Sequence, residues 1–92
     1  IGAVFCANDM MAIGVLRYLE ETGRTDVKVA AFDAIAEAKQ AVRDGRLTVT
    51  IDQLPEIQGY QGVATAVEMV RGVTPPREVM VEARVIDRAA LD

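Results

Sequence analysis

Three polar residues with hydrogen-bonding side chains follow three short apolar runs in the first part of the chain. Asn8, Asp33 and Gln53 each come at or just beyond the end of one such run. A carboxylate only accepts hydrogen bonds, whereas the amides of Asn and Gln both donate and accept them. Because a hydroxyl group does both, the three residues together would fit a neutral, polyhydroxylated ligand.

The elements that must bring these residues together are strands separated by helices. Residues 3–6, 27–32 and 47–52 are mainly apolar or β-branched and predict strands. Apolar residues recur at helical spacing between them, with charged residues opposite. This alternation predicts an α/β fold, a parallel sheet with helices on both faces. Since ligands bind beyond the carboxyl ends of such strands, we expect the three polar residues on one rim.

The last third of the chain adds a long helix and an extended segment. A helix is predicted from Pro55 to Arg71, since proline is favoured in the first helical turn. Its apolar stripe consists of Ile57, Tyr60, Val63, Ala64, Val67 and Val70. Residues 79–86 are predicted to be extended, which gives the order β-α-β-α-β-α-β.

Each polar residue also has a purely structural interpretation. Asn and Asp are common after strands because they form turns and helix caps. Asp9 immediately precedes the first helix and is predicted to cap it. By spacing alone, a structural role in turns or strand ends is favoured over a ligand role for Asn8, Asp33 and Gln53. Among the apolar residues, core positions are expected for Phe5, Cys6, Met10, Met11 and Phe32.

Composition excludes several classes of function. The net charge is −4, from ten basic and fourteen acidic residues. No basic stripe is present, so this segment is not expected to bind nucleic acid. With no His and a single cysteine, Cys6, a Cys/His zinc site and a histidine-dependent nucleophile cannot be assembled. We expect no metal, no cofactor and no enzymatic activity; a glycosidase using Asp33 and Asp52 is the remaining enzymatic alternative.

Three motifs resemble those of one known family. The stretches A-N-D-M-M-A-I-G (7–14), V-A-A-F-D-A (29–34) and D-G-R-L-T-V-T-I-D-Q (44–53) are similar to type I periplasmic sugar-binding proteins, in particular the ribose-binding proteins of bacterial ABC transporters. The similarity runs from about Val4 to Ile86.

This resemblance implies roles for the three polar residues. The family's motif Asn, its Asp after the second of these strands and its hinge Gln hydrogen-bond the sugar, and they map onto Asn8, Asp33 and Gln53. The family often has glycine on both sides of the Phe-Asp pair, where this chain has Ala31 and Ala34. That difference leaves the choice of sugar open.

The resemblance also implies an organisation for the whole segment. Residues 1–53 would belong to the carboxy-terminal sugar-binding lobe, 54–77 would cross the hinge and pack on the amino-terminal lobe, and 78–92 would return. The implied protein is periplasmic or otherwise extracytoplasmic, and its partners are a sugar and an ABC permease. The apolar stripe of the last helix would lack its sheet, so self-association of the isolated chain is expected.

One alternative shares both the fold and the motifs. The effector domain of a LacI-type transcription regulator would use the same pocket to alter DNA binding through a separate helix-turn-helix. The segment at residues 44–53 favours the transport receptor, because regulators more often have a threonine pair and a proline there.

Overall fold

The structure is a computed structural model that describes all 92 residues, and its strands and helices alternate along the chain. In chain order the elements are β1 (Ala3–Phe5), α1 (Asp9–Glu21), β2 (Lys28–Ala30), α2 (Ala36–Arg43), β3 (Thr50–Asp52), α3 (Pro55–Val70), β4 (Arg84–Ile86) and α4 (Arg88–Leu91). The predicted α/β class is confirmed.

The strands lie side by side in chain order. β1 and β2 pair in parallel, with Val4 opposite Val29. A parallel bridge between Ala30 and Val49 joins β2 to the residue that precedes β3. The three predicted parallel strands are therefore adjacent, as expected. β4 pairs antiparallel with β3 and spans only residues 84–86 of the longer segment predicted to be extended.

The core lies on one side of this sheet. Side chains alternate along a strand, so Cys6 and Val29 face the same way as their neighbours two residues away. The buried cluster contains Cys6, Ala12, Leu16, Val29, Ala31, Ala38, Ala41, Val42 and Leu47. Because this cluster draws on both α1 and α2, the two helices cover the same face. Within these 92 residues the expectation of helices on both faces is therefore met on one face only.

Several side chains expected in the core are exposed instead. Phe5 points to the uncovered face and is 70% exposed. Met10 and Met11 are also exposed, because the buried stripe of α1 passes through Ala12 and Leu16 and leaves them beside it. The prediction of core positions was wrong for these three residues. It was correct for Cys6, which is buried, and burial raises the pKa of its thiol.

Helix α3 extends away from this core. None of its residues is buried, and Tyr60 and Val70 are 74% and 89% exposed. The radius of gyration is 17.4 Å, against about 12 Å expected for a compact domain of this length. Only 14 of the 92 residues are buried. No helix combines the length and apolar character needed to cross a membrane.

Candidate functional site

The three predicted site residues lie at the carboxyl ends of three neighbouring strands. Asn8 follows β1, Asp33 follows β2 and Gln53 follows β3. The Nε2 amide of Gln53 donates a hydrogen bond of 2.9 Å to Oδ1 of Asp33. The loops after β1 and β2 are joined by the backbone N–H of Asp9, which donates to the carbonyl of Phe32 at 2.9 Å. We refer to these strand ends, which carry Asn8, Asp33 and Gln53, as the rim.

Asn8, rather than Asp9, caps helix α1. Its backbone is extended, with φ at −152°, and its Oδ1 accepts a hydrogen bond of 2.9 Å from the N–H of Met11. The prediction of Asp9 as the cap was therefore wrong by one residue. The cap uses only the side-chain oxygen of Asn8. Its Nδ2 group donates no hydrogen bond within these 92 residues.

Asp9 is instead the centre of a buried polar network. Its side chain is fully buried, and its Oδ1 accepts a hydrogen bond of 2.6 Å from the hydroxyl of Thr50. Its Oδ2 accepts one of 2.8 Å from the N–H of Ile35. The Thr50 hydroxyl in turn accepts a bond of 3.2 Å from the N–H of Ala34. The network thus joins the loops after β1 and β2 to strand β3.

Nothing in the sequence pattern pointed to Thr50. It belongs to the alternating stretch T-V-T-I-D, in which the threonines look like the polar, outward side of a strand. In the structure Thr50 is fully buried. A buried threonine needs hydrogen-bond partners, and its partners come from residues 16 and 41 positions away.

The backbone of the loop after β2 is strained. Asp33 and Ala34 have positive φ values of 122° and 57°. For a residue other than glycine, the left-handed region costs on the order of 1–2 kcal/mol. Ala34 occupies one of the positions where the family that this sequence resembles often has glycine. Strain of this kind persists only where the surroundings hold it, and here the loop N–H groups donate hydrogen bonds to acceptors on β3 and Asp9.

The exit from the rim into α3 is also fixed by side chains. Leu54 is buried and has a left-handed backbone, with φ at 54°. Oδ1 of Asp52 accepts a hydrogen bond of 2.8 Å from the N–H of Leu54, and Nε2 of Gln58 donates one of 2.7 Å to the carbonyl of Gln53. Because the Asp52 carboxylate holds this turn, it is poorly placed to act as the second carboxylate of a glycosidase.

The charged partners of the acidic side chains lie away from the rim. All ion pairs are exposed and involve only Arg24–Asp26, Arg46–Glu20 and Arg46–Asp44. The Gln40 amide, helped by Arg46, lowers the pKa of the exposed Asp44. At the rim, Asp33 has an amide partner and no cation. No group of three or more Cys, Asp or Glu side chains is arranged to hold a metal ion.

The parallel strands, their helices and the polar residues at the strand ends have the form of the α/β domains that bind ligands beyond their strands. The chain belongs to the periplasmic binding protein domain family, whose model matches residues 1–74. It is 46% identical over 72 residues to the ribose import binding protein of Escherichia coli, which covers 78% of this chain. It is 35% identical over 89 residues, or 95% of the chain, to the D-allose-binding periplasmic protein of the same organism.

Solved structures of similar proteins share this fold over nearly the whole chain. An ABC transporter periplasmic solute binding protein from Actinobacillus succinogenes with bound D-allose matches 98% of this chain, with a TM-score of 0.92 and 33% identity. A solute binding protein from Bacillus halodurans with bound myo-inositol matches 97%, with a TM-score of 0.89 and 34% identity. The chain covers 32% and 31% of those two structures, and 24% of the E. coli ribose protein.

Proposed function

We propose that this chain forms one wall of the sugar-binding cleft in the solute receptor of an ABC-type importer, located in the periplasm or outside the cytoplasmic membrane. The observation that carries the proposal is the contact of Asp33 with Gln53 at the rim, beside the free amide donors of Asn8. The similar proteins named for ribose and D-allose support a monosaccharide or related polyol as the ligand.

The rim offers both kinds of hydrogen bond that a sugar needs. The Asp33 carboxylate can accept from two adjacent hydroxyls, and the Asn8 amide can donate to a hydroxyl or ring oxygen. Gln53 already donates one hydrogen to Asp33 and keeps a second donor and its carbonyl oxygen. Nothing in this arrangement activates a nucleophile, so the proposed role is capture without catalysis.

The lobe assignment is part of the proposal. Residues 1–53 would belong to the sugar-binding lobe, 54–77 would cross the hinge and pack α3 on the opposite lobe, and 78–92 would return. The exposure of α3 supports the crossing, and the pairing of β4 with β3 supports the return. Closure of two such lobes would bury the sugar, and the permease would recognise the closed form.

A transcription regulator is the alternative with the same fold. The similar proteins are named as import binding proteins or transporter solute binding proteins, which favours the receptor. No observation on this chain specifically favours DNA-linked regulation.

The decisive experiment is calorimetry on the intact protein that contains this chain, with D-ribose, D-allose and myo-inositol. Asp33→Asn removes the carboxylate charge and keeps a residue that tolerates positive φ. A hydrogen bond to a charged group is worth about 1.5–3 kcal/mol, so affinity should fall by about tenfold or more. Asp26→Asn, which changes an exposed aspartate away from the rim, is the control and should leave affinity unchanged. Equal affinity in the wild type and Asp33→Asn would refute the assignment.

A further inference from the structure

The position of the Asp33 carboxylate depends on an unusual backbone conformation that has to be held in place. Its φ is 122°, and that of Ala34 is 57°, in the region that L side chains rarely adopt. Neither position is glycine, so the local sequence does not favour this conformation. The constraint must therefore come from contacts outside the loop.

Three consecutive N–H groups supply that constraint. The N–H of Asp33 donates to the carbonyl of Ile51 at 2.8 Å, that of Ala34 to the Thr50 hydroxyl at 3.2 Å, and that of Ile35 to Oδ2 of Asp9 at 2.8 Å. The first bond continues the pairing of β2 with β3. The other two depend on side chains and would disappear if those side chains were changed.

The Thr50 hydroxyl has a defined orientation within this set. A hydroxyl carries one hydrogen, and at 2.6 Å that hydrogen is donated to Oδ1 of Asp9. The Thr50 oxygen then accepts the hydrogen bond from the N–H of Ala34. Asp9 thus orients Thr50, and both hold the segment that carries Asp33. Both side chains are fully buried and do not reach the rim surface themselves.

We infer that Asp9 and Thr50 are positioning residues for the ligand site, and that they set sugar affinity through the orientation of Asp33 without contacting the sugar. This inference rests on the proposed function. It adds a second layer of buried residues behind the three side chains of the rim.

The test uses the intact protein and whichever of D-ribose, D-allose and myo-inositol the wild type binds most tightly. Thr50→Val removes the hydroxyl and keeps the shape, and we expect affinity to fall at least fivefold. Thr50→Ser keeps the hydroxyl and should bind within about twofold of the wild type. Val42→Ala destabilises the same core far from the rim and should also leave affinity within twofold, provided that titrations are run well below its unfolding midpoint.

A double-mutant cycle separates positioning from general destabilisation. If Thr50 acts through Asp33, Thr50→Val should change affinity less than twofold in the Asp33→Asn background. Fully additive losses of affinity would overturn the inference, and so would wild-type affinity in Thr50→Val. In either case, a loss of affinity in Asp33→Asn would still uphold the proposed function. If Asp33→Asn alone has no effect, or the wild type binds none of the three probes, the proposed function fails and the inference fails with it.

Discussion

The side-chain amide of Gln53 donates a 2.9 Å hydrogen bond to the Asp33 carboxylate, across the ends of two parallel strands. Gln40 makes the same kind of bond, also of 2.9 Å, to Asp44 on the exposed surface of α2. The two pairs are chemically identical and differ in location. They therefore provide a matched comparison of what such a pair does at the rim and elsewhere.

Gln53→Glu should weaken sugar binding strongly, whereas Gln40→Glu should not. Replacing the Gln53 amide by a carboxylate removes the donor to Asp33 and places two like charges at hydrogen-bond distance, which pushes the two side chains apart. We expect an affinity loss of about tenfold, equivalent to about 1.4 kcal/mol, measured by calorimetry. Equal affinities for the two variants would mean that the Gln53–Asp33 contact is irrelevant to the ligand.

Asp9→Ala should destabilise the protein far more than Asn8→Ala. Removing the Asp9 carboxylate leaves the Thr50 hydroxyl and the Ile35 N–H buried without their acceptor, and each such group costs about 1–3 kcal/mol. Loss of the Asn8 cap costs about 1 kcal/mol. Urea unfolding of the intact protein measures both. Similar losses for the two variants would contradict the structural role of the network.

The two alanines that flank the Phe-Asp pair should respond differently to glycine. Either substitution loses a buried methyl, worth about 0.8 kcal/mol, and about 0.5–1 kcal/mol of backbone entropy. Only Ala34 has a positive φ, so only Ala34→Gly also relieves about 1–2 kcal/mol of strain. Thermal and urea unfolding should therefore show Ala31→Gly to be destabilised by about 1–2 kcal/mol and Ala34→Gly to be nearly neutral. The reverse order would place the strain elsewhere.

The isolated 92-residue chain should self-associate through α3. Its apolar side chains are exposed, and full burial of each larger one is worth about 1.5–3 kcal/mol. Light scattering should give a concentration-dependent mass above 9.9 kDa. The variant Val63→Lys/Val67→Lys should shift the chain towards the monomer.

The exposed pair Met10 and Met11 provides the control for this experiment. Met10→Lys/Met11→Lys adds the same charge away from α3 and should not change the mass. A monomer at all concentrations, with α3 still helical by circular dichroism, would contradict both the self-association and the assignment of α3 to an opposite lobe.

The sequence alone determined the order of the first seven elements and the residues at the strand ends, while the short helix α4 was not predicted. Strand and helix periodicity is a local property, and β-branched runs such as the one around Val49 predict strands without any distant contact. The placement of Asn8, Asp33 and Gln53 follows from the same logic, because parallel strands present their carboxyl ends at one edge. What the pattern could not separate was Asn8 from Asp9, since either side chain can cap a helix.

Only the tertiary structure decided what Asp9 and Thr50 do. Their hydrogen bond joins residues 41 positions apart, and a polar residue in an alternating strand looks exposed until its partners are known. The exposure of Phe5 and Met11 also depends on the tertiary structure. Both residues are apolar, and both are exposed because the packing of α1 and α2 covers only one face of the sheet. Local pattern specifies which side chains could be buried. Burial itself depends on which elements meet, and that is a property of the whole chain in space.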